Sequence, residues 1–217
     1  MARDLIQDVF VKTVKNKFTA QIKLSDDFDF TGYALRQVLF PDLNAPIVGD
    51  AGNPCAELLS GIKGNTILTT ANATGIQWWS PACPAMYSLT TELISPQGEV
   101  EFSRVDRISF RDIKFDGKMF FLNGLPLTKE QIKDIKTMPF SADQSLVEQC
   151  NETGSLIVIE VEGNAGQKPL LTAVERLRNS PSVIAWYATQ KNEFNALSAF
   201  FEEIDGTRPV IKAFPSR

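Results

Sequence analysis

Histidine is absent from all 217 residues. That absence removes Ser-His-Asp and Cys-His nucleophilic catalysis, His-ligated zinc and a histidine general base. Cysteine is scarce. Cys55, Cys83 and Cys150 stand far apart, with no C-x-x-C pair to hold a metal through thiolates. Three cysteines allow one internal disulfide at most, so Cys55–Cys83 stands beside free thiols as an open alternative. No basic run occurs. Lys plus Arg is 22 against 26 Asp plus Glu, a net charge of -4, which argues against a charged surface for nucleic acid or anionic membrane. No apolar run approaches the roughly 18 residues of a membrane-spanning helix. The opening from Met1 to Val11 alternates instead of running apolar, so no signal peptide is read there. No G-x-x-x-x-G-K or G-x-G-x-x-G occurs, and Gly61, Gly64, Gly163 and Gly166 compose no phosphate cradle. The expectation is therefore no cofactor and no metal. Asn72-Ala73-Thr74 and Asn151-Glu152-Thr153 match the short glycosylation pattern, which says little without secretion.

What is present is ordinary globular material, 43% hydrophobic and 22% charged, enough for one or two domains with a real core. Two periodicities divide it. Up to about residue 125 the chain alternates. Asp8–Val14 and Lys17–Leu24 flank a Lys15-Asn16 turn, Thr31–Phe40 is a third strand, and Gly64–Ala71 another. Residues 41–61, rich in Pro, Gly, Asn and Asp, read as one long loop. Met86–Ile94 and Glu99–Ile108 form a hairpin across Ser95-Pro96-Gln97-Gly98. About seven short strands predict an antiparallel β-sandwich of immunoglobulin type.

Beyond Leu127 the period changes. Thr128–Lys136 is helical and opens on a Thr128-x-x-Gln131 capping box. Asp143–Glu152 is a second helix, closed by Gly154. Leu156–Val161 and Ser182–Tyr187 are continuous apolar runs, the mark of strands buried on both faces, and Arg208–Ala213 is a last strand. Near Met138–Ser141 a further strand is degenerate. Pro169–Arg178 and Asn192–Ile204 supply the intervening helices. Strands alternating with helices imply βαβ units and a short parallel sheet. The predicted domains are 1–112 and 113–217. Phe110, Ile113, Phe121 and Leu122 are expected in the core where the two meet, with a tight turn at Asn123-Gly124.

Several segments then resemble one family in order along the chain. Leu5–Lys17 resembles the opening strand of the middle sandwich domain in glycoside hydrolase family 2, the β-galactosidase and β-glucuronidase family. Trp79-Ser80-Pro81 with Pro84 and Tyr87 looks like its W-S-P-x-x-P-x-L-Y-x-L segment. Phe110-Arg111-Asp112-Ile113 and Phe121-Leu122-Asn123-Gly124 look like its F-R-x-I and F-x-L-N-G. Cys150, Gly154 and Leu156–Glu160 are similar to C-D-E-x-G-L-x-V-x-x-E. Arg178-Asn179-Ser180-Pro181-Ser182-Val183-Ile184-Ala185-Trp186 resembles R-N-H-P-S-V-I-x-W, Asn192-Glu193 the N-E that follows it, and Asp205–Val210 its D-P-T-R-P-V. The resemblance implies an immunoglobulin-like β-sandwich followed by a truncated, degenerate (β/α) barrel.

The departures bear on activity. Leu127 passes straight into the Thr128 helix where the family has its first barrel strand, and Met138-Pro139-Phe140 stands in place of an Arg-His strand. Gln190-Lys191 push Asn192-Glu193 away from Trp186. The resemblance makes Glu193 the acid/base and puts the nucleophile on a later strand, which this chain is expected not to carry. Retaining glycosidases need two carboxyl groups about 5–5.5 Å apart. A substitute nucleophile would be Glu160 or Glu162. The plainer readings are a first-turn carboxylate of a helix for Glu193 and a strand-end pair for the other two. Trp78 and Trp79 are either an aromatic platform for a sugar or packing at a sandwich edge, and Trp186 is either a site floor or core. The expected function is that of a catalytically inactive glycosidase-like protein, a structural or interaction subunit of a larger assembly. The alternatives are a non-catalytic carbohydrate-binding protein and a residual or fragmentary retaining β-glycosidase. Expected partners are other chains, identical or different, covering an open sheet edge, with a carbohydrate as a further candidate. The resemblance sets a periplasmic or extracellular location beside a cytoplasmic one.

Overall fold

The computed structural model describes residues 4–42, 53–162 and 166–214. They fall into two compact units, one of residues up to 77 together with 85–110, the other of residues 78–84 together with 111 onward. The short segment Trp78–Pro84 thus leaves the first unit and packs with the second.

The first unit holds two antiparallel sheets. One has the order β1 (Ile6–Val14), β2 (Lys17–Leu24), β5 (Thr66–Asn72); the other has the order β4 (Ala56–Gly61), β3 (Ala34–Pro41), β6 (Tyr87–Ile94), β7 (Val100–Ile108). The period-two pattern explains why each sheet buries one face. Phe18, Ala20, Ile22 and Leu24 of β2, Leu35 and Leu39 of β3, and Leu89 and Leu93 of β6 are buried, while their neighbours are wetter. A polar link sits inside this sandwich-like pair. Gln37 of β3 donates to Thr91 Oγ1 at 3.2 Å, and its carbonyl accepts from Thr69 Oγ1 of β5 at 2.5 Å, so all three side chains are satisfied. Arg104 of β7 donates to the carbonyls of Ile6 and Gln7 on β1. The β1–β2 turn is tight because Lys15 takes a left-handed φ of 53°.

The expected loop at 41–61 is partly a strand. Residues 43–52 lie outside those described, but β4 pairs with β3 from Ala34↔Gly61 to Leu39↔Ala56. It is an edge strand with a weak half-buried alternation, so its flanking Pro and Gly outweighed its pattern. The third strand starts at Ala34, later than Thr31, because the preceding residues turn. Thr31 donates to Asp29 from both its N–H and its hydroxyl, and Gly32 has φ 81°.

In the second unit β8 (Ile113–Phe115), β9 (Phe120–Leu122) and β10 (Leu125–Pro126) form a small antiparallel sheet. Asn123 (φ 55°) and Gly124 (φ 81°) make the predicted tight turn. Phe110, Ile113 and Leu122 are buried as expected, but Phe121 is only half-buried and Phe120 is the enclosed ring. A short strand alternates, so the residue next to Leu122 must face the other way. Then come α1 (Lys129–Lys133), β11 (Lys136–Pro139), α2 (Gln144–Thr153), β12 (Ile157–Val161), α3 (Gln167–Leu177), β13 (Val183–Ala188), a 3₁₀ turn Lys191–Glu193, α4 (Phe194–Ile204) and β14 (Val210–Ile211). The Thr128–Gln131 capping box is fully formed, yet α1 stops at Lys133 and Lys136 already begins a strand. The strand read as degenerate is therefore a regular member of the sheet, and the last strand shrinks to two residues.

The four strands run parallel in the order β11-β12-β13-β14. Ile157, Ile159, Val161, Val183 and Trp186 pack in one cluster with Val147 and Cys150 of α2, Leu170, Val174 and Leu177 of α3, and Leu197 and Phe201 of α4. The opposite face is closed too, since Val158, Ile184 and Ala185 are fully buried and Ile211 nearly so. The apolar residues Ile157, Ile159, Val183, Ile184, Val210 and Ile211 of these strands need cover, and it comes largely from within this chain. Five are buried within this one and Val210 is half-buried. All three cysteines are free thiols, Cys55 and Cys150 buried and Cys83 half-buried. Burial pushes the Cys55 and Cys150 thiols up.

Candidate functional site

A parallel sheet has two ends with different duties. Residues at the N-terminal end of the strands hold the fold, and those at the C-terminal end carry chemistry. The side chains of the quoted motifs are largely committed to the first task. Trp79 is fully buried, and its Nε1 donates to the Asn151 carbonyl at 2.9 Å. The Asn151 side chain accepts from both the N–H and the hydroxyl of Ser182, at 3.1 and 2.6 Å, where the chain enters β13. Asn123 donates to the Trp79 carbonyl at 3.0 Å and accepts from the Asp112 N–H at 2.9 Å, which ties the Asn-Gly turn to the Trp-Ser-Pro segment. Gly154, the left-handed cap of α2, lies against Pro81 so closely that a Cβ there would stand 2.3 Å from the Pro81 carbonyl oxygen.

A second buried network lies beside it. Trp186 Nε1 donates to Asp205 Oδ2 at 2.8 Å, and Thr207 donates to Asp205 Oδ1. Arg208 lies 3.3 Å from Asp205 Oδ2 and donates to the carbonyls of Leu177 and Arg178 at the end of α3, where a cation suits the helix dipole. Arg111 donates to the Val183 carbonyl at 2.8 Å. Loss of hydration, then the neighbouring Arg208 cation, pulls Arg111 down to about 9, and Asp205 opposes that shift. At about 9 Arg111 stays charged at neutral pH.

The sequence-predicted site residues are distributed as follows. Trp79 and Trp186 present no face to solvent, and a sugar platform requires one. Trp186 stacks on Phe201 with centroids 4.7 Å apart, on the helix side of the sheet. Trp78 is half-buried. Glu160 is half-buried near the end of β12, flanked across the sheet by Pro139 and Tyr187, and its carbonyl accepts from the Phe140 N–H. Glu162 follows β12 and is exposed. Glu193 closes the 3₁₀ turn as the half-buried N-cap of α4 with no side-chain capping bond, and its N–H donates to the Gln190 carbonyl at 3.2 Å. Glu160 and Glu162 thus lie at the C-terminal end of β12, and Glu193 in the turn that follows the neighbouring β13.

The sequence reading missed Tyr187. Side chains alternate, so with Trp186 facing the helices Tyr187 faces the other side. There it meets Phe214 edge-to-face at 5.1 Å, in the row that also holds Glu160 and Ile211. The available signal was the pairing of Trp186 with an apolar helix face. Among the described residues no group of three or more His, Cys, Asp or Glu is placed to hold a metal ion, and no helix is long and apolar enough to cross a membrane.

No family model matches the chain, and no curated protein matches it. Solved structures do. A glycosyl hydrolase family 2 member from Bacteroides cellulosilyticus superposes with a TM-score of 0.71 at 18% identity, over 94% of this chain and 34% of that one. The β-glucuronidase of Bifidobacterium dentium, complexed with coumarin-3-O-glucuronide, gives 0.72 at 15% identity, over 94% and 43%. A β-glycosidase from Bacteroides vulgatus gives 0.68 at 16%, over 94% and 32%. The chain spans well under half the length of each of these structures. At such identities the likeness shows the fold, which is that of a partial glycoside hydrolase family 2 structure.

Proposed function

We propose that this chain is a glycosidase-like protein without glycosidase activity, acting as a structural or interaction subunit of a larger assembly. In this reading the first unit is an immunoglobulin-like sandwich and the second a partial (β/α) barrel, dividing near residues 112–113 with Trp78–Pro84 as a clip onto the barrel part. One observation carries the reading. Residues on which the likeness rests, Trp79, Asn123, Ser182, Trp186, Asp205 and Arg208, use their polar groups on one another, on Asn151 and on backbone. They preserve a scaffold, and a scaffold does not bring its activity with it. These motif residues are thus accounted for without any catalytic role.

A second reading, binding of a carbohydrate without turnover, is favoured by the Tyr187–Phe214 pair beside Glu160. The deciding experiment is hydrolysis of aryl β-glucuronides, β-galactosides and β-mannosides by the purified chain and by Glu193→Gln. The expected result is no turnover above the variant. Turnover lost in Glu193→Gln would restore the enzyme reading, with Glu193 as acid/base and Glu160 or Glu162 as its partner.

A further inference from the structure

The second unit has a cleft of about 440 Å³ on the helix side of its sheet, between the segment that leaves β11 and one face of α3. Its floor is apolar. The Phe140 ring, the Pro169 ring and the buried Ala173 methyl supply it. Its charges are of one sign. Lys168 and Arg176 stand eight residues apart on α3, about 12 Å along the helix axis, on the same face as Thr172. Among the described residues no carboxylate lines the cleft, although the chain as a whole carries a net charge of -4. Asp143, a carboxylate that also feels Arg176, is exposed and already engaged as the N-cap of α2 by the Ser145 N–H at 2.9 Å.

Arg176 is held in place by backbone. One of its terminal nitrogens donates to the Phe140 carbonyl at 2.9 Å, which orients the guanidinium and leaves its other N–H groups for a planar acceptor. At the other end Lys168 lies in the first turn of α3. That turn has no acidic residue, and its N-cap, Gly166, offers no side-chain bond. A cation there opposes the helix dipole and keeps that end of the cleft positive.

We propose that this cleft binds a small aromatic carboxylate, its ring on Phe140, Pro169 and Ala173 and its carboxylate on Arg176, with Lys168 adding long-range attraction. A flat ring suits walls made of a ring, a pyrrolidine and a methyl. A carboxylate suits the guanidinium fork better than a strongly hydrated dianion suits an apolar floor. The volume falls within the usual range of small-molecule sites. This assignment is independent of the scaffold reading above, because it uses none of the same residues.

The test is titration of the full chain with 2-naphthoate, followed by amide chemical shifts, against its neutral isostere 2-naphthamide. The expected result is saturable shifts centred on Ser141, Thr172 and Ala173, with 2-naphthamide binding about tenfold more weakly or worse. Arg176→Gln is expected to weaken 2-naphthoate about tenfold. Because Arg176 also anchors Phe140, Lys168→Gln at an exposed side chain keeps the fold and is expected to weaken it about threefold. Equal binding of acid and amide, unchanged affinity in Lys168→Gln, or shifts that do not saturate or lie elsewhere would each overturn the proposal.

Discussion

Trp186 Nε1 and Asp205 Oδ2 are 2.8 Å apart, and both side chains are sealed from water. The carboxylate is shared, since it also meets Thr207 and the buried Arg208 guanidinium. Removing it leaves that cation buried without its counter-charge. Asp205→Ala is therefore expected to cost about 3–5 kcal/mol in urea unfolding. Trp186→Phe keeps the ring on Phe201 and loses one N–H donor, so about 1–3 kcal/mol is expected. A larger loss for Trp186→Phe than for Asp205→Ala would show that ring packing, not the charge network, holds this corner.

Gly154 is required for two separate reasons, and variants can separate them. Its φ of 72° is left-handed, and its Cα lies against the Pro81 backbone. Gly154→Ala meets both obstacles and is expected to lose more than about 2 kcal/mol. Asn tolerates the left-handed region but brings the same Cβ. If the close approach dominates, Gly154→Asn is as damaging as Gly154→Ala. Recovery of most of the stability by Asn would mean that the Trp-Ser-Pro segment can shift away.

Phe120 and Phe121 are adjacent and differ in burial. Phe120 is fully buried with its ring 4.7 Å from Phe115, whereas Phe121 is half-buried across from Lys114 and Pro126. Phe120→Ala is expected to cost about 3–5 kcal/mol and Phe121→Ala less than half of that. Equal losses in chemical denaturation would place Phe121 in a core that the three-residue strand does not give it.

The legibility of this chain follows from how strong each local signal is. Leu156–Val161 and Ser182–Tyr187 read correctly as buried strands because both faces of the sheet are covered and the apolar run is unbroken. The capping box and the Gly154 stop read correctly because they are backbone chemistry written in side chains. β4 and β11 were misjudged because edge strands carry little apolar pattern and are flanked by breakers. The Phe120/Phe121 exchange is a one-residue phase error, which a three-residue strand cannot correct by itself. The candidate site was the least legible part. Trp79 and Trp186 were visible as aromatics, but whether a ring faces solvent depends on its tertiary partners, Asn151 and Asp205, which lie 72 and 19 residues away.

The last prediction concerns assembly. Apart from half-buried Val210, the aliphatic side chains of the parallel sheet are already covered, so bare hydrophobic surface on that sheet supplies little drive to associate. What remains is its backbone. Among the described residues the sheet ends at β11 on one side and β14 on the other. The β11 edge is blunted, since Lys136 opens it and Pro139, which has no N–H, closes it. β14 is only two residues long and follows Pro209; Val210 and Ile211 pair with Trp186 and Tyr187 on one side, and among the described residues no further strand lies on the other. An edge of that kind accepts another strand, from a second copy, from a different protein or from further polypeptide of the same product. The purified 217-residue chain is accordingly expected to sediment at micromolar concentration as more than its 24.1 kDa mass, with at least about 1,000 Å² buried in total. Val210→Pro removes a backbone donor at this edge and is expected to shift the chain toward monomer. Sedimentation of the unaltered chain as a stable 24.1 kDa monomer, with nothing bound to it in native extracts, would remove the interaction half of the proposed function.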